Sequence, residues 1–160
     1  MASQICVDAS LVLKLVLREP DSPLAEALWT EWLASGVQIC APTLLEFETT
    51  SVLRNKVYRG RITPEQGEEA FHTIRALDIT ILHPGSLLDM AWGLAKRFNR
   101  PVAYDSTYLA LAQFLDCELW TADERLYNAV KGELSWVRRL GNAGPSHSRH
   151  GGSHLLWPVS

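Results

Sequence analysis

The chain has 160 residues, 47% of them hydrophobic and 21% charged, with a formal net charge of −3. Such a composition suits one folded domain, is too apolar for a disordered chain, and excludes nonspecific attraction to nucleic acid through overall charge, although a local basic patch stays possible. No apolar run approaches the ~20 residues of a membrane helix, and "MASQIC" lacks the basic and apolar regions of a signal peptide, so an intracellular, cytoplasmic protein without a membrane partner is expected.

"QICVDAS" reads as a buried strand that runs three apolar residues into Asp8. "SLVLKLVLREP" follows as a short apolar helix that stops before Pro20. "DSPLAEALWTEWLASG" is an amphipathic helix, with Asp21 or Ser22 as N-cap and Gly36 as its stop. "VQICAP" is a second strand, and "TLLEFETTSVLRNKVYRG" a long helix ending at Gly60. "TPEQGEEAFHTIRAL" opens with Thr63 as N-cap, Pro64 at N1 and Gln66 at N3. "ITILHP" is a third strand; "GSLLDMAWGLAKRFN" and "DSTYLALAQFLD" are helices. "CELWTAD" is a fourth strand, "ERLYNAVKGE" a helix and "LSWVRRL" a short fifth strand.

Strands alternate with helices throughout, which predicts an α/β domain over residues 1–140, its mostly parallel sheet covered on both faces. Residues 141–160 are rich in Gly, Ser, Pro and His without a period and read as a flexible C-terminal tail; His147, His150 and His154 fall in it as solvated residues. Cys6, Cys40 and Cys117 are too widely spaced for a CxxC zinc site or a closed disulfide framework, and read as reduced core cysteines.

Four carboxylates fall in one kind of place. Asp8 ends strand one, Glu46 lies in the first turn after strand two, Asp105 opens a helix, and Asp123 ends strand four. Singly, each has a structural explanation: Asp8, Asp105 and Asp123 as N-caps, and "TLLE" (43–46) as a capping box. All four sit at or just after the start of a helix, three of them directly after a strand, and in a parallel sheet strand-to-helix transitions share the edge where such folds bind ligands. Glu46 also shares a helix face with Thr50, Leu53 and Val57. Clustered carboxylates repel unless a cation neutralises them, and an all-oxygen site prefers Mg²⁺ or Mn²⁺. Such an ion activates water and stabilises charge on a phosphate, which points to metal-dependent phosphodiester hydrolysis. The basic run "RNKVYRGR" supplies Arg54, Lys56, Arg59 and Arg61 as a candidate RNA-backbone strip, or equally as a solvated helix end.

With the segments "VDASLVLKL", "APTLLEFETTSVLRNKVYRGRIT", "PVAYDSTYLALA" and "LWTADERL" in this order, the sequence resembles PIN-domain nucleases, and more narrowly the VapC-type ribonuclease toxins of toxin–antitoxin pairs. The resemblance runs from about residue 4 to residue 140. It implies a PIN-like three-layer fold with a five-stranded sheet, and a Mg²⁺- or Mn²⁺-dependent endoribonuclease, a hydrolase acting on phosphodiester bonds. It implies that Asp8, Glu46, Asp105 and Asp123 form the catalytic metal site, with the hydroxyls of Ser10 and Thr121 in support. A homodimer silenced by a cognate antitoxin protein is implied as well. The alternative is a non-catalytic PIN-fold module that binds RNA or protein without cutting. A haloacid-dehalogenase-type phosphatase would need an acid where Ser10 stands, and a nucleotide-binding domain would need a Gly-rich loop that "DASLVLK" lacks.

Overall fold

A computed structural model describes residues 3–141; the expected C-terminal tail lies, beyond Gly141, outside the described residues. The elements run β1 (Gln4–Val7), α1 (Ala9–Lys14), α2 (Ser22–Ala34), β2 (Gln38–Pro42), α3 (Leu44–Tyr58), α4 (Pro64–Arg75), β3 (Thr80–Leu82), α5 (Leu87–Arg97), α6 (Tyr104–Leu115), β4 (Glu118–Thr121), α7 (Glu124–Val130) and β5 (Val137–Arg139). Every element expected from the sequence is present, with α1 ending well before Pro20.

The strands form one sheet in the order β3-β2-β1-β4-β5, and every pairing is parallel. Parallel strands need helical crossovers, and such crossovers are right-handed as a rule. The chain winds one way from β1 to β2 to β3 and then crosses back to β4, so α1–α4 and α5–α7 fall on opposite faces. The expected three-layer arrangement follows, with β1 and β4 meeting where the winding reverses. At such a switch point the loops after the strands diverge and leave a crevice.

The central strand shows why the sheet is buried on both sides. Cys6 and Val7 point to opposite faces, and both are fully covered. On one face Trp120 of β4 meets Trp32 of α2 edge-on at 5.7 Å, and Trp32 meets Trp29 at 5.9 Å. Helix α6 packs on β1, β2 and β4 and is buried continuously from Ser106 to Ala112, so it works as a core element. The cysteines are free thiols, as expected, yet not far apart: β1–β2 register sets Cys6 beside Cys40, and Cys6 Sγ lies 3.7 Å from Cys117 Sγ.

The Thr63 capping box forms as expected. Thr63 Oγ1 accepts from the Gln66 N–H at 3.0 Å, and Gln66 Oε1 accepts from the Thr63 N–H at 2.8 Å. One turn on, Gly67 of α4 abuts Val57 of α3, so closely that a Cβ at position 67 would run into Val57 Cγ2. Helix propensity alone makes Gly67→Ala stabilising by about 1 kcal/mol. Overpacking against a stiff β-branched side chain costs about 1–3 kcal/mol and wins. Chemical denaturation should find Gly67→Ala less stable than the parent, and Val57→Ala combined with Gly67→Ala should recover part of that loss.

Candidate active site

Asp8 ends β1 and begins α1, and 4% of it is exposed. Its carboxylate is saturated by local donors. Oδ1 accepts from the Leu11 N–H at 3.1 Å and from Ser10 Oγ at 2.7 Å, while Oδ2 accepts from Thr121 Oγ1 at 2.5 Å. The two hydroxyls stand 3.1 Å apart and are themselves held by the backbone just past β4: Ser10 Oγ accepts from the Ala122 N–H, and Thr121 Oγ1 accepts from the Asp123 N–H, each at 2.9 Å. Ser10 and Thr121 thus both donate to the Asp8 carboxylate. Burial pushes the Asp8 carboxyl up to about 6 against these hydrogen bonds, and the nearby Asp123 charge adds to the rise.

Asp123 is the N-cap of α7. Its Oδ1 accepts from the Arg125 and Leu126 N–H groups at 2.9 and 3.2 Å. Its Oδ2 accepts no hydrogen bond among the described residues. Asp105 lies in the first turn of α6 but caps nothing; the N-cap position is Ala103, and Asp105 Oδ2 is paired with Arg100 Nη2 at 3.3 Å.

Glu46 is not brought to this group. Its side chain is about half exposed and faces Arg75 of α4 at 4.0 Å, beside a cleft lined by Thr50, Leu53 and Phe71. The capping-box explanation is absent too, since Thr43 makes no side-chain cap bond. The acid that α3 delivers is Glu48. Its carboxylate accepts from the Tyr108 hydroxyl at 2.6 Å. Burial raises the Glu48 carboxyl and the Asp105 charge adds to it, while the Tyr108 bond pulls it down. Burial, then the Glu48 bond, push the Tyr108 phenol up, and the charge of Asp8 contributes. Tyr108 thus links the neighbourhood of Asp8 to the Glu48–Asp105 pair.

Helix rotation explains the exchange. The inward stripe of α3 is Leu45, Glu48, Thr49, Val52 and Leu53, with Thr50 exposed. Grouping Glu46 with Thr50, Leu53 and Val57 fixed the apolar face off centre. A stripe drawn through Leu45, Val52 and Leu53 contains Glu48 and leaves Glu46 at its border. The sequence offers both stripes, and the packing of α3 selects this one. The basic run is also placed elsewhere: Arg54, Lys56, Arg59 and Arg61 follow α3 away from the carboxyl edge, and Arg59 lies about 16 Å along the helix from Glu48.

Among the described residues no three acids, histidines or cysteines close into a ready-made ligand cluster. The acids stand as two neighbouring pairs, Asp8 near Asp123 and Glu48 near Asp105. The donor set nevertheless suits a hard divalent cation. All four are carboxylates, and Asp8 and Glu48 are both held toward their neutral forms by burial and by a neighbouring negative charge, a penalty that a cation would offset.

A family model for the PIN domain matches residues 5–132, and the chain belongs to the PIN-domain family. Within it, the chain is 32% identical over 122 residues to Ribonuclease VapC9 of Mycobacterium tuberculosis, covering 76% of this chain and 87% of that protein. Its fold resembles the crystal structure of M. tuberculosis VapC20, described as a sarcin-ricin loop cleaving toxin, with TM-score 0.59, 17% identity and coverage of 79% and 95% of the two chains. It also resembles VapBC-1 from nontypeable Haemophilus influenzae, with TM-score 0.54, 14% identity and coverage of 85% and 96%.

The buried acid makes a pH-dependent forecast. The folded Asp8 titrates near 6 against an ordinary 3.8, so its protonated form favours the folded state. That contribution is whole below the ordinary value and is lost as pH rises through about 6, a difference of about 3 kcal/mol at most. In metal-free buffer near neutral pH, Asp8→Asn should therefore be more stable than the parent by about 1–3 kcal/mol. The gain should shrink to nothing by about pH 4. Urea titrations of both proteins across this range check it; a gain independent of pH would mean that Asp8 ionisation is not the cause.

Proposed function

We propose that the chain is a metal-dependent endoribonuclease, the toxin of a toxin–antitoxin pair. What carries this is the buried Asp8 carboxylate, kept at the switch point by two hydroxyls and a backbone amide beside a second acid. A neutral cap such as Asn would serve the start of α1 as well, whereas the buried charge costs an unliganded domain stability near neutral pH. The family and the VapC relatives support the choice of RNA as substrate.

In this reading Asp8, Glu48, Asp105 and Asp123 hold Mg²⁺ or Mn²⁺, with Glu48 in the role the sequence assigned to Glu46. When bound, the ion lowers the pKa of a coordinated water and offsets charge on the scissile phosphate. The chain's own residues do the positioning. Ser10, Thr121 and the Leu11 amide fix the rotation of the Asp8 carboxylate. The first-turn amides of α7 occupy Asp123 Oδ1 and leave Oδ2 available as a metal ligand. The Tyr108 hydroxyl steadies Glu48, and Arg100 offsets Asp105 until a cation replaces it.

A cognate antitoxin is the proposed protein partner, supported by the likeness of the fold to a chain of a toxin–antitoxin complex from Klebsiella pneumoniae. The expected homodimer belongs to the same proposal. Phe47, Leu88, Val102 and Tyr104 are more than half exposed and line one apolar groove, which is its candidate interface. No helix among the described residues is long and apolar enough to cross a membrane; action on cytoplasmic RNA is the proposed setting.

Purified protein should cut RNA with Mg²⁺ or Mn²⁺ and not with a chelator present. Glu48→Gln should reduce cleavage by about a hundredfold or more while remaining folded, whereas Glu46→Gln should stay within about twofold of the parent. The reverse ranking would return Glu46 to the site. Uncut RNA under all metal conditions, with the chain still binding it, would favour the non-catalytic module. In a bacterium, induction should arrest growth, and Asp8→Ala at matched expression should relieve the arrest.

A further inference from the structure

Arg139 is the last residue of β5 and lies in register with Thr121, which bonds Asp8 on the neighbouring strand. It is half-buried, and its Nε is fully shielded without a hydrogen-bond partner. Arg75, Arg97, Arg100 and Arg138 each face a carboxylate. Arg139 faces none among the described residues, and its terminal amino groups make no hydrogen bond there. Its guanidinium rests against the Tyr127 ring at 5.8 Å, and Lys131 Nζ approaches the same ring at 5.8 Å. Tyr127 follows Asp123 by one turn of α7, its N–H donating to the Asp123 carbonyl at 3.1 Å.

Two cations are therefore gathered on one aromatic ring, about 5–6 Å along α7 from an acid of the proposed catalytic crevice. Partial burial of an unpaired guanidinium is costly unless an anion completes it. Its planar fork matches phosphate oxygens, and a ring beneath it holds the fork in place.

We infer that Arg139 and Lys131, positioned by Tyr127, bind a backbone phosphate of the RNA one or two nucleotides from the bond that is cut. The inference rests on the nuclease reading and moves the backbone contact from the α3 strip to the α7–β5 edge. A phosphate held here fixes the register of the strand, so that the neighbouring phosphodiester lies over Asp8 and Asp123.

The test uses a single-stranded RNA oligonucleotide. Binding is measured with the Asp8→Asn chain over a range of salt concentrations, and cleavage with the otherwise wild-type chain. Arg139→Gln should weaken binding about five- to tenfold and reduce the slope of log K against log salt by about 0.7, with the loss in cleavage falling mainly on KM. Lys131→Gln should act in the same direction, and Arg139→Lys should restore the slope. Arg54→Gln, on the α3 strip, should change neither. Thermal melts of each variant establish folding, and Arg139→Lys serves should Arg139→Gln fail to fold: full loss of binding by a folded Arg139→Lys chain also overturns the inference, because a phosphate site keeps part of its affinity when the charge is kept. Unchanged binding and slope in a folded Arg139→Gln chain would overturn the subsite and leave the nuclease reading standing. Failure of the parent chain to bind RNA at all would overturn both.

Discussion

A carboxylate placed out of water must be hydrogen-bonded or neutralised, and the Asp8 side chain meets the first condition with donors from two separate strand ends. Ser10 and Leu11 come from its own helix start, while Thr121 arrives from 113 residues away. Only parallel pairing of β1 with β4 in the observed register brings Thr121 level with Asp8. The same hydroxyls then accept the amides of Ala122 and Asp123, so the turn into α7 is set by the same contact. Strand order, the start of α1, the start of α7 and the orientation of Asp123 are linked through this one group.

The second condition, neutralisation, is not met by the chain itself. Burial and Asp123 disfavour ionised Asp8, and burial and Asp105 disfavour ionised Glu48. The hydrogen bonds to both residues reduce that penalty without removing it. A site that carries such a cost in the folded chain is characteristic of function, because replacing the acids with neutral residues would be the simpler route to stability. Arg100 compensates Asp105 locally and leaves Asp8, Asp123 and Glu48 without a basic partner among the described residues.

Cations elsewhere divide by their surroundings. Arg75, Arg97 and Arg138 are matched to carboxylates away from the crevice and serve packing and solvation. The Arg54–Arg61 run accompanies the far end of α3, where positive charge suits a helix C-terminus. At the α7–β5 edge the arrangement differs, since Arg139 is half-buried with its Nε shielded, ring-supported and unmatched among the described residues. Position relative to the carboxyl edge, rather than the number of basic residues in a stretch, separates these roles.

Strand and helix identity were legible in the chain because they rest on local quantities: apolar runs such as Ile5–Val7, the Thr63–Gln66 capping box, and the stops at Gly36 and Gly60. The alternation of those elements also determined the parallel α/β class, since a crossover helix between strands permits little else. Asp8, Asp123, Ser10 and Thr121 stood out because they occur at strand-to-helix transitions, which share one edge whatever the details of packing, whereas Asp105 opens a helix that follows another helix and was marked only by its place at a helix start. Glu46 and Glu48 could not be separated with the same security. They are two residues apart on one helix, and which of them faces Tyr108 depends on how α3 rolls against α6 and the sheet. Proximity of Cys6 to Cys117 and of Arg139 to Tyr127 was likewise invisible, because both follow from strand register and helix docking between distant segments. The sequence by itself determined what each segment is and which acids stand at helix starts; tertiary packing alone decided which side chain of a helix is turned inward and which charge is left without a partner.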